Sequence, residues 1–226
     1  ERSDVSPEEA ARAIEDGVKE LAASGTVVLA NLVGSAPGEA VEPLAWHGIR
    51  GVIFVELLGF QREAADEALA AGRRRLEDLR GRLPSFSHHL SPHAPYSVSP
   101  ELFRMIHSRS ERRTVHLAEN DEEIRLLAAG DGPWREFLRE LGRWDDGWVP
   151  PGVSPVRYLD DLGFLDPGTL VVHAVKVDDA DVELLRRRGT PVCLCPRSNS
   201  RLGVGRAPAR KFLHAGLAVA LGTDSL

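Results

Sequence analysis

Short apolar, β-branched runs alternate along the chain with amphipathic charged stretches, and these two periods predict strands and helices in turn. A helix is predicted over 6–23, with Ser6 at the N-cap, Pro7 at the first helical position and Glu9 completing a capping box. Gly25 ends it, and strands follow over 26–31, 51–57, 85–91, 114–118, 169–175, 191–195 and 217–221. Between them the charged periodicity predicts helices over 61–80, 100–112 (capped by Ser99), 121–129, 155–162, 178–188 and 207–215. Strands alternating with helices imply parallel β/α units, and strands this apolar are expected to be buried on both faces. Two α/β architectures fit: a (β/α)8 barrel lacking one strand, or an open doubly wound sheet. The dinucleotide form of the open sheet is weakened because residues 30–34 read ANLVG, without its glycine fingerprint.

Residues 130–155 break the rhythm, with nine Gly or Pro residues and three of the four tryptophans: Trp134, Trp144 and Trp148. A long insertion of this kind is a functional loop or a disordered one, and clustered tryptophans favour an ordered, packed one, including a cap that merely packs on its own barrel. Composition adds exclusions. With 42% hydrophobic and 27% charged residues the chain is ordinary for a soluble globular protein. A net charge of −6 argues against a nucleic-acid partner, and no apolar run approaches a membrane span. Cys193 and Cys195 are too close in a strand to bridge easily, and with no signal peptide the expectation is a reducing, cytoplasmic location. Residue 1 is Glu and the sole methionine is Met105, so the chain is expected to be processed, trimmed or an internal piece of a longer one.

Chemistry in a parallel barrel sits at the C-terminal ends of the strands. Four segments place polar groups there: HLAE with His116 and Glu119, VVHAV with His173, GTDS with Asp224, and SPHAPY with His93 between two prolines. Taken singly, each has an ordinary structural explanation: Glu119 as a helix N-terminal carboxylate, His173 as a satisfied core histidine, Asp224 as a helix cap, His93 as part of a Pro-rich turn. Taken together, histidines and carboxylates meeting at one barrel mouth suit a metal-dependent hydrolase.

The ordered motifs SPHAPYSVS (91–99), VHLAEN (115–120), SPVRYLDDLGFL (154–165), LVVHAV (170–175), CPRSNSRLG (195–203) and ALGTDS (220–225) carry a resemblance. The chain resembles the amidohydrolase superfamily, in its deaminase and chlorohydrolase branch. The resemblance implies a metal-dependent-hydrolase TIM-type (β/α)8 barrel, here one partial domain over 1–226 that runs from strand two to strand eight. Strand one and the terminal β-sandwich of intact relatives would be missing. It implies one Zn2+, with iron as an alternative, held by an HxH pair, a strand-five histidine (His116) and a strand-eight aspartate (Asp224). No HxH occurs in the chain, and that pair is expected upstream of residue 1. His173 would stand beside the metal-bound hydroxide or the oxyanion, and Glu119 would shuttle a proton to a ring nitrogen. Hydroxide held at a pKa near ~7 would attack the amino-bearing ring carbon and release ammonia. Many relatives carry a further histidine after the strand-six one, where Lys176 stands here.

The substrate implied is a small molecule of the adenine-nucleoside type: aminodeoxyfutalosine, S-adenosylhomocysteine or methylthioadenosine. The pair Glu56–Leu57 leans toward the first. His93 would contact the sugar or its 5′ side, and Arg197 and Asn199 would line the pocket. Arg201 and Arg206 either meet a carboxylate or lie on a solvated face. The alternatives are guanine or cytosine deaminase, triazine chlorohydrolase, a non-catalytic barrel, or an open-sheet binding domain with His116 and His173 in its core. A homodimer is compatible with the family, although no residue marks an interface.

Overall fold

The computed structural model describes residues 6–34 and 41–224. They fall into two compact units, drawn from Glu1–Glu56 with Ala70–Leu90 and from Leu57–Leu69 with Ser91–Leu226.

The first unit opens with α1 (Pro7–Ala23), capped as the sequence predicts. The Glu9 amide donates to Ser6 Oγ at 3.2 Å, and the Ser6 amide donates to the Glu9 carboxylate at 2.9 Å. After it come β1 (Val28–Gly34), a short α2 (Glu42–Trp46), β2 (Arg50–Leu57), α3 (Ala65–Arg82) and β3 (Phe86–Pro92). A 3-10 turn, Arg62–Ala64, which belongs with the start of α3 up to Leu69 to the second unit, replaces the first turn of the helix predicted from residue 61. The three strands form one sheet in the order β1-β2-β3. β1 and β2 run parallel, from Val28 opposite Arg50 to Gly34 opposite Glu56. Gly51 is required here: a Cβ on it would lie 1.8 Å from the Leu29 carbonyl oxygen. The expectation of burial on both faces holds for the middle of β2, where Ile53 and Val55 on one face and Phe54 on the other are all buried, but not for β1. β1 is an outer strand of its sheet, and Val27 and Val28 are more than 60% exposed.

The second unit carries four parallel strands in the order β4-β5-β6-β7: Arg113–Leu117, Thr169–His173, Val192–Leu194 and Val219–Leu221. Its helices are α4 (Pro100–His107), α5 (Asp121–Ala129), α6 (Pro133–Glu140), α7 (Pro155–Asp161), α8 (Asp179–Arg188), α9 (Pro196–Leu202) and α10 (Ala209–His214). The apolar faces of these elements meet in a core that includes Phe103, Phe164, Phe212, Leu117 and Leu126. At the N-terminal end of β4 the buried Arg113 pairs with Asp166, which also takes a 3.1 Å hydrogen bond from His107 Nε2.

Several boundaries differ from prediction for local reasons. α4 stops at His107 with Ser108 as its C-cap, short of the predicted residue 112. β5 ends at His173 and not at 175, because His173 and Ala174 take left-handed backbone, φ +75° and +47°. The outer strand β7 shows the same departure as β1, with Leu221 78% exposed. The 130–155 insertion contains α6 and packs as its tryptophans suggest. Trp134, Trp144 and Trp148 pack against the cluster of Ala94, Tyr96 and Leu126. Trp134 stacks on Tyr96 at 4.1 Å between ring centroids, and Trp144 stacks on Phe60 at 5.2 Å. Among the described residues no helix is long and apolar enough to cross a membrane.

Candidate active site

Parallel register brings the C-terminal ends of β4 and β5 level, with His116 opposite Val172 and Leu117 opposite His173. Beyond these ends the backbone turns sharply. Among the described residues four non-glycine ones adopt left-handed φ: Ala118, His173, Ala174 and Asp224, each at or just past a strand end. Strained backbone of this kind gathers at functional sites.

The side chains converge there. His116 Nδ1 lies 3.0 Å from His173 Nε2. The same Nε2 is 3.5 Å from Glu119 Oε1 and 3.6 Å from Asp224 Oδ2. Asp224 follows β7 and accepts a 2.7 Å hydrogen bond from the buried Ser198 hydroxyl. Gly222, just before it, leaves room for sulfur: a Cβ there would sit 2.9 Å from Cys193 Sγ. His173 is 1% exposed, and its Nδ1 pairs at 2.8 Å with Asn199 Oδ1. Since an amide oxygen only accepts, the proton sits on Nδ1 and Nε2 presents its lone pair to His116, Glu119 and Asp224. Burial lowers the affinity of His173 for a second proton. His116 acts in the same direction, and Glu119, Asn199 and Asp224 oppose it.

His93 belongs to the same group of rings. Its centroid is 5.2 Å from that of His116, which is 5.1 Å from that of His173. Its Nδ1 donates to Ser97 Oγ at 2.6 Å, and the Ser97 hydroxyl donates onward to the Ala94 carbonyl. Tyr96 meets the His93 ring edge-on at 5.4 Å, which ties it to the tryptophan insertion. The prolines flanking His93 therefore hold a ring that is also fixed through hydrogen bonds.

Of the remaining sequence candidates, Arg197 is exposed and lines a shallow cavity of about 420 Å³ with Pro196, Ser200 and Arg201. Arg206 is exposed as well. Asn199 is 1% exposed and does not line that cavity; it stands behind His173. Lys176 forms a 2.8 Å ion pair with Asp121. Ser225, the last residue of the ALGTDS motif, lies outside the described residues.

Two participants are not evident from the strand-end reading. Ser198 holds Asp224, and Glu123 in α5 accepts the backbone amides of Ala118 and Glu119, each at 3.0 Å. The pattern Asn120-x-x-Glu123, a capping-box signature, was the available signal for the second.

His116, His173 and Asp224 each offer a ligand atom, and these atoms lie within 4.8 Å of one another. Two imidazole nitrogens and a carboxylate oxygen are a donor set that zinc accepts, so the residues present fit such an ion. The amidohydrolase family pattern matches residues 2–226. The chain belongs to the amidohydrolase family. It is 36% identical over 198 residues to an aminodeoxyfutalosine deaminase of Deinococcus radiodurans, covering 81% of this chain and 46% of that protein. It is 31% identical over 214 residues to a 5-methylthioadenosine/S-adenosylhomocysteine deaminase of Pelotomaculum thermopropionicum, covering 91% and 43%. The chain thus spans less than half the length of these curated relatives. Among solved structures, an adenosine deaminase from Xanthomonas campestris with bound zinc superposes with a TM-score of 0.72 at 24% identity, over 98% of this chain and 47% of that one. A guanine deaminase from C. acetobutylicum with bound guanine gives 0.73 at 20%, over 97% and 51%. The likeness establishes the fold as the parallel β/α architecture of the amidohydrolase barrels.

Proposed function

We propose that this chain belongs to a metal-dependent hydrolytic deaminase that removes the ring amino group of an adenine-type nucleoside, of the aminodeoxyfutalosine or S-adenosylhomocysteine/methylthioadenosine kind. The observation that carries the reading is the convergence of His116, His173, Glu119 and Asp224 at the strand ends. The substrate class is supported by the names of the relatives above. The metal in this reading is zinc, with iron as the alternative, and His116 and Asp224 hold it beside His173. A bound zinc ion would supply the Lewis acidity that makes a hydrolytic nucleophile available near neutral pH.

The chain's own residues do the rest. Glu119, 7% exposed, carries a proton to the ring nitrogen next to the amino-bearing carbon, which makes that carbon electrophilic. His173 keeps its bare Nε2 toward the reacting centre because Asn199 holds the other nitrogen. Asp224, fixed by Ser198, accepts a proton from the attacking water. Water and the amino-substituted ring become the oxo-substituted ring and ammonia. His93 is assigned to the sugar or the 5′ side of the substrate, and the exposed Arg197 to the lining of its pocket. The reading keeps residues 1–226 as one partial barrel domain, which the family match over 2–226 supports. It also puts the protein in the cytoplasm, in keeping with two free thiols at Cys193 and Cys195.

The test is ammonia release by the full-length, zinc-loaded protein from adenosine, methylthioadenosine, S-adenosylhomocysteine, aminodeoxyfutalosine and guanine. Rapid release from one 6-aminopurine nucleoside is expected. Silence across the panel with zinc bound would overturn the deaminase reading in favour of a chlorohydrolase or amide hydrolase.

A further inference from the structure

Glu123 is fully buried in the first turn of α5, yet it does no work in the chemistry described above. In an ordinary capping box it would accept the amide of its own N-cap, Asn120. It reaches past Asn120 instead. Its Oε1 accepts from the Ala118 amide and its Oε2 from the Glu119 amide, both at 3.0 Å. Asn120 Oδ1 in turn accepts the Glu123 amide at 2.8 Å, so the carboxylate rides on a capped helix. That helix is anchored by Leu126 and Leu127, both fully buried.

The turn it grips is the strained one. Ala118 has φ +51°, where a Cβ is disfavoured. The Ala118 carbonyl oxygen accepts from the amides of Val175 at 2.9 Å and Lys176 at 2.8 Å. Ala118 is therefore gripped at both ends, by a helix carboxylate at its amide and by the turn after β5 at its carbonyl. The next residue is Glu119, whose carboxylate ends 3.5 Å from His173 Nε2. Burying a carboxyl group is costly, and burial pushes that of Glu123 up to about 7 against the pull of the two amides. Helix capping alone would be served by an exposed residue at that position.

We infer that Glu123 is a positioning residue: by clamping the Ala118 and Glu119 amides it holds the left-handed turn that aims the Glu119 carboxylate at the reacting centre. This rests on the proposed deaminase chemistry, in which Glu119 carries the proton. Glu123→Gln is the discriminating change, since it keeps the shape but turns one acceptor into a donor that faces an N–H.

The experiment uses the full-length zinc-loaded protein and reads amide hydrogen exchange together with kcat and KM. In Glu123→Gln the amides of 118 and 119 should lose protection while those of β4 keep theirs. The value of kcat should fall roughly 10- to 100-fold with KM within about twofold, as expected for a displaced catalytic group. If Glu123→Gln folds poorly, adding Ala118→Gly supplies a residue at home at φ +51°. The melting temperature should then recover while kcat stays low. Retained protection at 118 and 119 would overturn the clamp. Lost protection with kcat unchanged, or a loss confined to KM, would overturn the positioning role. If the wild-type protein released ammonia from no substrate, the proposed function would fall, while the exchange measurement would still decide whether Glu123 holds the turn.

Discussion

Asn199 separates two roles that predict different kinetics. Its position after β6 suggests a residue that lines the substrate pocket, but the structure buries it to 1% exposure with Oδ1 2.8 Å from His173 Nδ1. Asn199→Ala leaves the Nδ1–H of an equally buried ring without an acceptor, which costs about 1–3 kcal/mol. The ring can escape that cost only by rotating or by moving its proton to Nε2, and either change removes the lone pair from the side facing Glu119 and Asp224. If the penalty falls on the transition state, kcat drops by roughly 5- to 150-fold while KM stays nearly constant. A pocket-lining residue behaves oppositely, with KM raised and kcat kept. Steady-state kinetics on the best nucleoside of the panel, at matched zinc content, distinguish the two. Asn199→Asp adds a control, because a carboxylate oxygen still accepts from Nδ1–H and should preserve more of kcat than alanine does. A rise in KM alone, or an alanine variant as active as wild type, would refute the positioning argument.

Other outcomes follow from the same geometry. Glu119→Gln should abolish turnover while zinc content, measured by atomic absorption, stays at the wild-type level; substantial activity would remove Glu119 from the proton path. Asp224→Asn should lower both zinc content and rate, and full activity would discard its assignment as a ligand. At Asp166, burial alone would raise the carboxyl group, but Arg113, the Gly168 amide and His107 together hold it below its ordinary range. Its stabilisation is therefore complete above the unfolded pKa of an aspartate and is lost as pH falls through the lower folded value. Asp166→Asn should lose about 1.5–3 kcal/mol at neutral pH by leaving the buried Arg113 short of its charged partner, and should flatten the acid limb of a urea-midpoint-against-pH curve. An unchanged limb would contradict the sign.

The strand–helix alternation was legible because it is a local property: period and capping are written into consecutive residues. Ser6 and Glu9, Ser99 before α4, and the span of α5 all form as the pattern predicts. Exposure was not legible in the same way. The β1 sequence reads like a buried strand, yet Val27 and Val28 are exposed, whereas β4, also an outer strand, is buried almost throughout. The strand-end histidines and acids could be picked out because polar groups are conspicuous in apolar runs. The residues behind them were legible only in part: Asn199 reads as a pocket residue, Glu123 as a capping-box partner and Ser198 as nothing in particular, since polar side chains in helices draw no notice. Whether such a side chain points inward depends on the phase of the helix against the sheet. The stacking of Trp134 on Tyr96 is likewise a tertiary fact between segments far apart in sequence.

The backing residues also explain how the strand ends tolerate their backbone. Each non-glycine residue held in left-handed conformation costs about 1–3 kcal/mol, and such residues persist only where their surroundings over-determine them. Each of the four has such surroundings. Ala118 lies between Glu123 and the amides of Val175 and Lys176. His173 is tied through its ring to Asn199, and the Ala174 amide donates to the Leu117 carbonyl at 3.0 Å. Asp224 is tied through its carboxylate to Ser198. Three of these ties come from side chains in α5 and α9, the helices that follow β4 and β6. A helix after a strand in a parallel β/α unit thus has two duties: its apolar face closes the core, and its first turn presents polar groups to strand ends, to that of its own strand in the case of Glu123 and to those of neighbouring strands in the cases of Asn199 and Ser198. Loss of one such group should loosen the site before it loosens the fold, because the apolar contacts of the helix remain.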